Sequence, residues 1–345
     1  MSTNPPKKKN GCLWLFVFCV LCFIGTIAVS VVLQQGIWLS FFIAAVISVF
    51  ITIAFLGKPS ISSLFKNVIL VFGLILIVRY VLTTLLDFVN TFPTEDTTFV
   101  KEEGVGLSTI IEDQDTIPVY ASHRVWKDNY GNNYQGDLTI RERDFNRLYQ
   151  HLNSYSPPSG INFWGVLYDH IDRTDTPSLD LVMKTFEDIH RSRTLNQMEF
   201  AEMVISCIQD IPYSYVFQEE CLPYGAYDEP IKTLLKECPE CCIGNVKYGI
   251  QTPVSFLQNL KGDCDTRTVL IYSVLKHFNY DVAILNSDFY RHSIIGVNLP
   301  AGGLYKRYYG KKYVVWETTA KYYTAGQLPP SFNDITHWNV VLTSK

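Results

Sequence analysis

Between residues 11 and 57 the sequence has no Asp, Glu, Lys, Arg or His. A run that long without charge excludes a chain that is soluble throughout, and with it disordered and collagen-like readings. Charge is scarce overall, at 18% of 345 residues, and the shortage is concentrated in this one region. The first 90 residues also lack acid: Asp87 stands alone against Lys7, Lys8, Lys9, Lys58, Lys66 and Arg79. The remainder lacks basic excess, with 23 basic against 32 acidic residues, a formal −9. Nucleic-acid binding rests on neutralising phosphates, so no nucleic-acid partner is expected. Internal repeats and low-complexity tracts are missing too.

What is there begins with membrane signals. Gln34-Gln35-Gly36 divides the charge-free run into residues 12–33 and 37–56, each long enough to cross a hydrocarbon core of about 30 Å as a helix. A third candidate, residues 68–86, contains Arg79, whose charge would face neighbouring helices or snorkel to an interface. The lysines before the first segment and between the second and third should stay cytoplasmic. Three spans then place the rest of the chain outside, as a multi-pass protein with an extracytoplasmic soluble domain and a lipid membrane as partner. The first segment is too long and lacks the cleavage site of a signal peptide.

The organisation expected is a membrane anchor over 1–90, a linker with one short strand over 91–117, an N-terminal soluble part over 118–195 and a core over 196–345. Residues 119–126 and 134–140 flank Asn129-Tyr130-Gly131-Asn132-Asn133 and predict a β-hairpin. Residues 144–152, 179–190 and 197–211 predict helices; in the last, Phe200, Met203, Val204 and Cys207 share one face. Pro253 opens a short helix, and residues 264–278 form a longer one with an apolar face. Residues 281–285, 292–297 and 312–317 then read as strands rich in β-branched or aromatic residues. The fold class is α+β with an antiparallel sheet.

A cysteine nucleophile needs thiolate character, a histidine within reach and a third group to orient that histidine. Cys264 heads the longer helix behind a Gly-Asp turn, His292 opens a strand, and Glu317 closes the next. Singly, each is more often structural; the ordered set is what carries weight. Asp263 and Asp265 flank the thiol and oppose its ionisation, so His292 must supply much of the activation. The Cys264 N–H is one oxyanion donor, and the Gln258 and Gln209 amides are candidates for a second. His123, His151, His170, His190, His277 and His337 lack ligand spacing and read as surface or packing residues.

Gly262-Asp263-Cys264-Asp265, Arg291-His292 and Trp316-Glu317-Thr318-Thr319 resemble the transglutaminase-like superfamily of papain-like fold. Gln209-Asp210-Ile211-Pro212-Tyr213 and Thr252-Pro253-Val254 look like segments that membrane-anchored bacterial members carry before the cysteine. The likeness covers about residues 200–329 and departs in three places. Glu317 stands where Asp is more usual, the stretch from His292 to Glu317 is long, and Thr266-Arg267 replace an acid and a variable residue. The resemblance implies a Cys264-His292-Glu317 triad, a thioester intermediate, a peptide or protein substrate and no cofactor. Hydrolysis and acyl transfer to an amine both fit; a non-catalytic peptide-binding module on the same fold is the alternative.

Of nine cysteines, Cys12, Cys19 and Cys22 lie in the first apolar segment. Cys221, Cys238, Cys241 and Cys242 cluster in a Pro- and Gly-containing insertion and suit two disulfides in an oxidising compartment. Cys238-Pro239-Glu240-Cys241 also resembles half of a zinc site, for which a second such pair is missing.

Overall fold

The computed structural model describes residues 11–33, 37–57, 76, 79–80, 104–158, 160 and 162–345. The chain forms two compact units, Met1–Thr94 and Glu95–Lys345, each described by itself.

In the first unit, α1 (Gly11–Leu33) and α2 (Ile37–Leu56) run antiparallel, with Trp14 Nε1 donating to the Gly57 carbonyl at 3.1 Å. Gly25 allows the close approach: a Cβ there would lie 3.2 Å from the Ala44 Cβ. Ser40, Ser48 and Thr52 are buried, and the Thr52 hydroxyl donates to the Ser48 carbonyl at 2.6 Å. Phe23, Phe50 and Phe55 point outward, Phe55 at 85% exposure. Among the described residues, one window is long and apolar enough to span a membrane: Leu39–Leu56, 18 residues with mean hydropathy 2.7. α1 is 23 uncharged residues long, and the shorter apolar stretch Trp14–Ile27 lies within it. The expected third span, residues 68–86, lies outside the described residues except for Leu76, Arg79 and Tyr80. The described residues therefore supply one candidate span where the sequence predicted three.

The second unit opens with β1 (Gly106–Glu112), β2 (Asp115–Lys127) and β3 (Asn133–Arg141), an antiparallel sheet with β2 in the middle. The expected linker thus ends earlier than residue 117. Asp113 and Gln114 take left-handed φ values of 50° and 73°, and the two-residue turn folds Ile110 onto Ile117. The predicted hairpin is present, with Trp126 opposite Tyr134.

Helices α3 (Glu142–Ser154), α4 (Phe163–Asp175), α5 (Asp180–Arg193) and α6 (Gln197–Gln209) follow. Asn196 and Glu199 fix the start of α6 by reciprocal capping. The short parallel strands β4 (Tyr215–Val216) and β5 (Cys242–Ile243) bracket α7 (Ile231–Glu237). Then come α8 (Pro253–Asn259) and α9 (Cys264–His277).

The second sheet holds β6 (Val282–Ser287), β7 (His292–Val297), β8 (Tyr305–Tyr308), β9 (Lys311–Trp316) and β10 (Asn339–Thr343) in the order β10-β6-β7-β9-β8, antiparallel throughout. Alternation divides its faces. Ile284, Ile295 and Trp316 pack with α9 residues such as Val269 and Leu270, in a core that also includes Leu138 and Phe186. Leu285, Ile294, Val315 and Trp338 form a second core on the other face. The fold is α+β with antiparallel sheets, and the first core runs across residue 195 without a break.

Candidate active site

Cys264 is the first residue of α9, and the sequence before it is built for that position. Gly262 has no room for a side chain, since a Cβ would meet the Phe256 ring and the Thr266 methyl at 2.8 Å. Asp263 is extended and caps the helix, its carboxylate accepting from the Thr266 N–H at 3.2 Å. The thiol is therefore held at the positive end of a helix.

The Ser293 backbone N–H favours the charged form of the Cys264 thiol, and the Thr268 hydroxyl donates to the Ser293 carbonyl at 3.4 Å. Both backbone groups of Ser293 are thus engaged by α9. The β7–β9 ladder starts only at Ile295 opposite Trp316. Alternation places the His292 side chain on the sheet face of Trp338 rather than that of α9, with Phe332 and Trp338 rings 4.8 and 5.9 Å away. His292 is the first residue of its strand and immediately precedes Ser293, and no hydrogen bond joins the imidazole to the Cys264 thiol, whose side-chain partner is Asp265.

Glu317 follows the last residue of β9. Its Oε2 lies 3.1 Å from His292 Nε2, and its Oε1 accepts from the Thr319 N–H at 2.7 Å and from the Thr319 hydroxyl. Glu317 is fully buried. Burial alone would push its carboxyl up, but the His292 charge and hydrogen bond, with Thr319, hold it below the usual range. For His292, burial opposes protonation, while Glu317, Asp265 and Asp263 outweigh it and raise the pKa above the usual value.

The thiol is pushed in the unreactive direction. Burial first, then Asp265 and Asp263, raise its pKa well above that of a free cysteine. The S–H points at Asp265 Oδ1, 4.0 Å away, and Asp265 also accepts from Tyr168 Oη at 2.8 Å and from the Ser293 hydroxyl. Burial and then Asp265 push the Asp263 carboxyl well above the usual range. Burial and the two flanking carboxylates thus favour the neutral thiol.

Sequence reasoning missed Arg267, which it treated only as a departure from the superfamily pattern. The guanidinium is fully buried and donates to three carbonyls, Gly262 at 2.9 Å, Ile208 at 2.9 Å and Pro212 at 2.5 Å. Burial lowers its pKa to about 10. This side chain ties the turn before Cys264 to the end of α6. Tyr213 and Tyr215 were missed as neighbours of the nucleophile: burial and then the Cys264 charge raise both phenols.

The two glutamines proposed for the oxyanion are elsewhere engaged. Gln209 Nε2 donates to the Glu317 carbonyl at 2.7 Å and the Tyr323 carbonyl at 3.2 Å, so it braces the Glu317 segment. Gln258 lines a cavity of about 280 Å³ with Phe145, Leu152 and Ile250, a wall to which Cys264, His292 and Glu317 do not contribute. Cys221 pairs with Cys242, and Cys238 with Cys241, in disulfides, so the zinc alternative loses its ligands. Among the described residues no group of three or more His, Cys, Asp or Glu could hold a metal.

No protein-family model, curated protein or solved structure matches this chain.

Proposed function

We propose that this protein is a membrane-anchored cysteine enzyme that opens amide or peptide bonds through a thioester on Cys264, on a transglutaminase-like, papain-type core. One observation carries the reading: Cys264 heads α9 next to Ser293, whose neighbour in the chain, His292, has its Nε2 held by Glu317. With Nε2 engaged, Nδ1 is the nitrogen left to take the thiol proton. The sulfur attacks the substrate carbonyl, and the negative charge forming on its oxygen meets the Cys264 N–H, a first-turn donor that a helix leaves unpaired. Imidazolium returns the proton to the leaving amine. A second nucleophile then releases the acyl group from sulfur, and water is the reading adopted here.

The raised thiol pKa makes deprotonation part of the chemical step rather than a property of the resting enzyme. It also supports the competing reading, a peptide-binding module with an inert cysteine. The purified full-length protein in detergent, incubated with a panel of amide and peptide substrates and quenched in acid, decides between them. An acyl adduct on Cys264 by mass spectrometry supports the enzyme. Absence of any adduct, with Cys264 alkylating no faster than the buried Cys207, would leave the binding module.

The placement proposed for the soluble unit is extracytoplasmic. The lysine distribution around the apolar segments and the two disulfides support it. Reporter fusions after residue 60 and after residue 345 should report opposite compartments; equal signals would put both on the same side.

A further inference from the structure

The two disulfides differ in what they do to the chain. Cys221–Cys242 spans 21 residues of sequence and staples the insertion as a whole. Cys238–Cys241 spans three, closing the loop Cys238-Pro239-Glu240-Cys241 at the end of α7. A loop this short removes little freedom from the unfolded chain, so opening it leaves the fold standing. Both half-cystines are partly accessible, and Pro239 and Glu240 between them are exposed. The backbone around this loop already has local bonds, Cys238 N–H to the Leu234 carbonyl at 2.8 Å and Cys241 N–H to the Cys238 carbonyl at 3.0 Å.

The loop is also clamped to the segments that carry the nucleophile. The Cys241 carbonyl accepts from the Tyr215 N–H at 2.9 Å, and the Tyr215 phenol senses the Cys264 charge. The Glu240 carbonyl accepts from Lys261 Nζ at 2.8 Å, three residues before Cys264. Both half-cystines further line a cavity of about 120 Å³ with Pro212, Tyr213, Thr319 and Lys321. Thr319 is the residue that holds Glu317. A bond with little structural function is thus wired to both sides of the site.

We propose that Cys238–Cys241 is a thiol–disulfide exchange site for an incoming dithiol, and that its oxidation state governs access to Cys264. The attacking thiolate bonds to the Cys241 sulfur, and the S–S bond breaks with its electron pair leaving on Cys238, which takes a proton. The second thiol of the dithiol resolves the mixed disulfide. The protein gains two electrons and two protons while the dithiol becomes a disulfide. Reduction lets the Glu240 and Cys241 carbonyls leave Lys261 and Tyr215, which loosens the segment leading into Cys264. The exchange stands on the loop alone; its control of catalysis rests on the enzyme reading above.

The test uses the full-length protein in detergent, equilibrated in dithiothreitol redox buffers and mapped by differential alkylation with mass spectrometry. Cys238 and Cys241 should become alkylatable at a poise where Cys221–Cys242 stays closed. At that poise the iodoacetamide rate of Cys264 should rise at least threefold. Lys261→Met, which breaks one clamp and leaves the disulfide intact, should move the oxidised protein toward the same rate. If both disulfides open together, the exchange site is refuted. If the pair opens selectively but Cys264 reacts at an unchanged rate in reduced protein and in Lys261→Met, the control is refuted. Missing turnover with selective opening would overturn the enzyme reading and leave the exchange site in place.

Discussion

The two ends of α9 both bury carboxylates, and they treat them in opposite ways. At the C-terminal end Asp172 receives Lys276 Nζ at 2.5 Å, the Ser273 hydroxyl at 2.8 Å and the Thr176 hydroxyl at 3.1 Å. Its charge is matched by a cation and its oxygens are satisfied. At the N-terminal end Asp263 and Asp265 meet neutral donors, the Thr266 N–H and the Tyr168 and Ser293 hydroxyls. Arg267, two residues beyond Asp265, gives its hydrogen bonds to carbonyls instead. One end is arranged for stability. The other holds excess negative potential around a thiol, and the group placed to answer it is His292, whose protonation that potential favours. Strongly perturbed groups gathered at one end of an otherwise ordinary helix are the usual mark of a reaction site.

Substitutions at the two ends test this contrast. Cys264→Ala should abolish product release from any peptide substrate while the thermal melt stays cooperative. His292→Ala should lower kcat/KM by about 10³-fold or more, because it removes the base from a thiol that burial keeps protonated. Retained turnover in either variant would move the chemistry away from α9. Glu317→Gln should cost less, and it carries a pH signature. In the parent protein Glu317, Asp265 and Asp263 hold the His292 pKa above its usual 6.5, and the acid limb of kcat/KM should have its midpoint above pH 6.5. Removing the Glu317 charge lets burial prevail, so the limb should move to lower pH. A limb that moves up would contradict the electrostatic assignment.

The smaller effects concern stability. Arg267→Met leaves three carbonyls without their donor and should lower the unfolding free energy by about 3–5 kcal/mol in urea titrations. Asp172→Asn should lower it by about 1–3 kcal/mol, since Lys276 is partly exposed and can be solvated. It should leave kcat/KM and its pH profile unchanged, which separates the two ends of the helix directly.

Much of this was legible in the sequence because it is local. Gly262-Asp263 before an apolar-faced run announces a capped helix start, and α8, α9 and β7 lie where periodicity and composition place them. The order Cys264, His292, Glu317 was readable for the same reason. What was not readable depends on partners far along the chain. The role of Gln209 is set by carbonyls more than 100 residues away, and a mid-chain glutamine looks the same whether it faces a substrate or a backbone. Arg267 read only as a departure from the superfamily pattern because its carbonyl partners at 208 and 212 carry no sequence signal. Helix α4 was missed because its charged residues interrupt the apolar stripe: Asp172 and Asp175 are buried by hydrogen bonds, not by hydrophobicity.

The strand order has a consequence for how the protein acquires its chemistry. β10 pairs with β6, joining Asn339 to Asn286 across more than fifty residues, and Trp338 packs beside His292 just before it. Contacts of such long sequence separation form late, because the intervening loop must first be closed. α9 and its capping turn are local and form early. The helix start that carries Cys264 therefore forms before the wall behind His292 exists, and a chain still folding carries the cysteine in its capped turn ahead of the surroundings of the histidine.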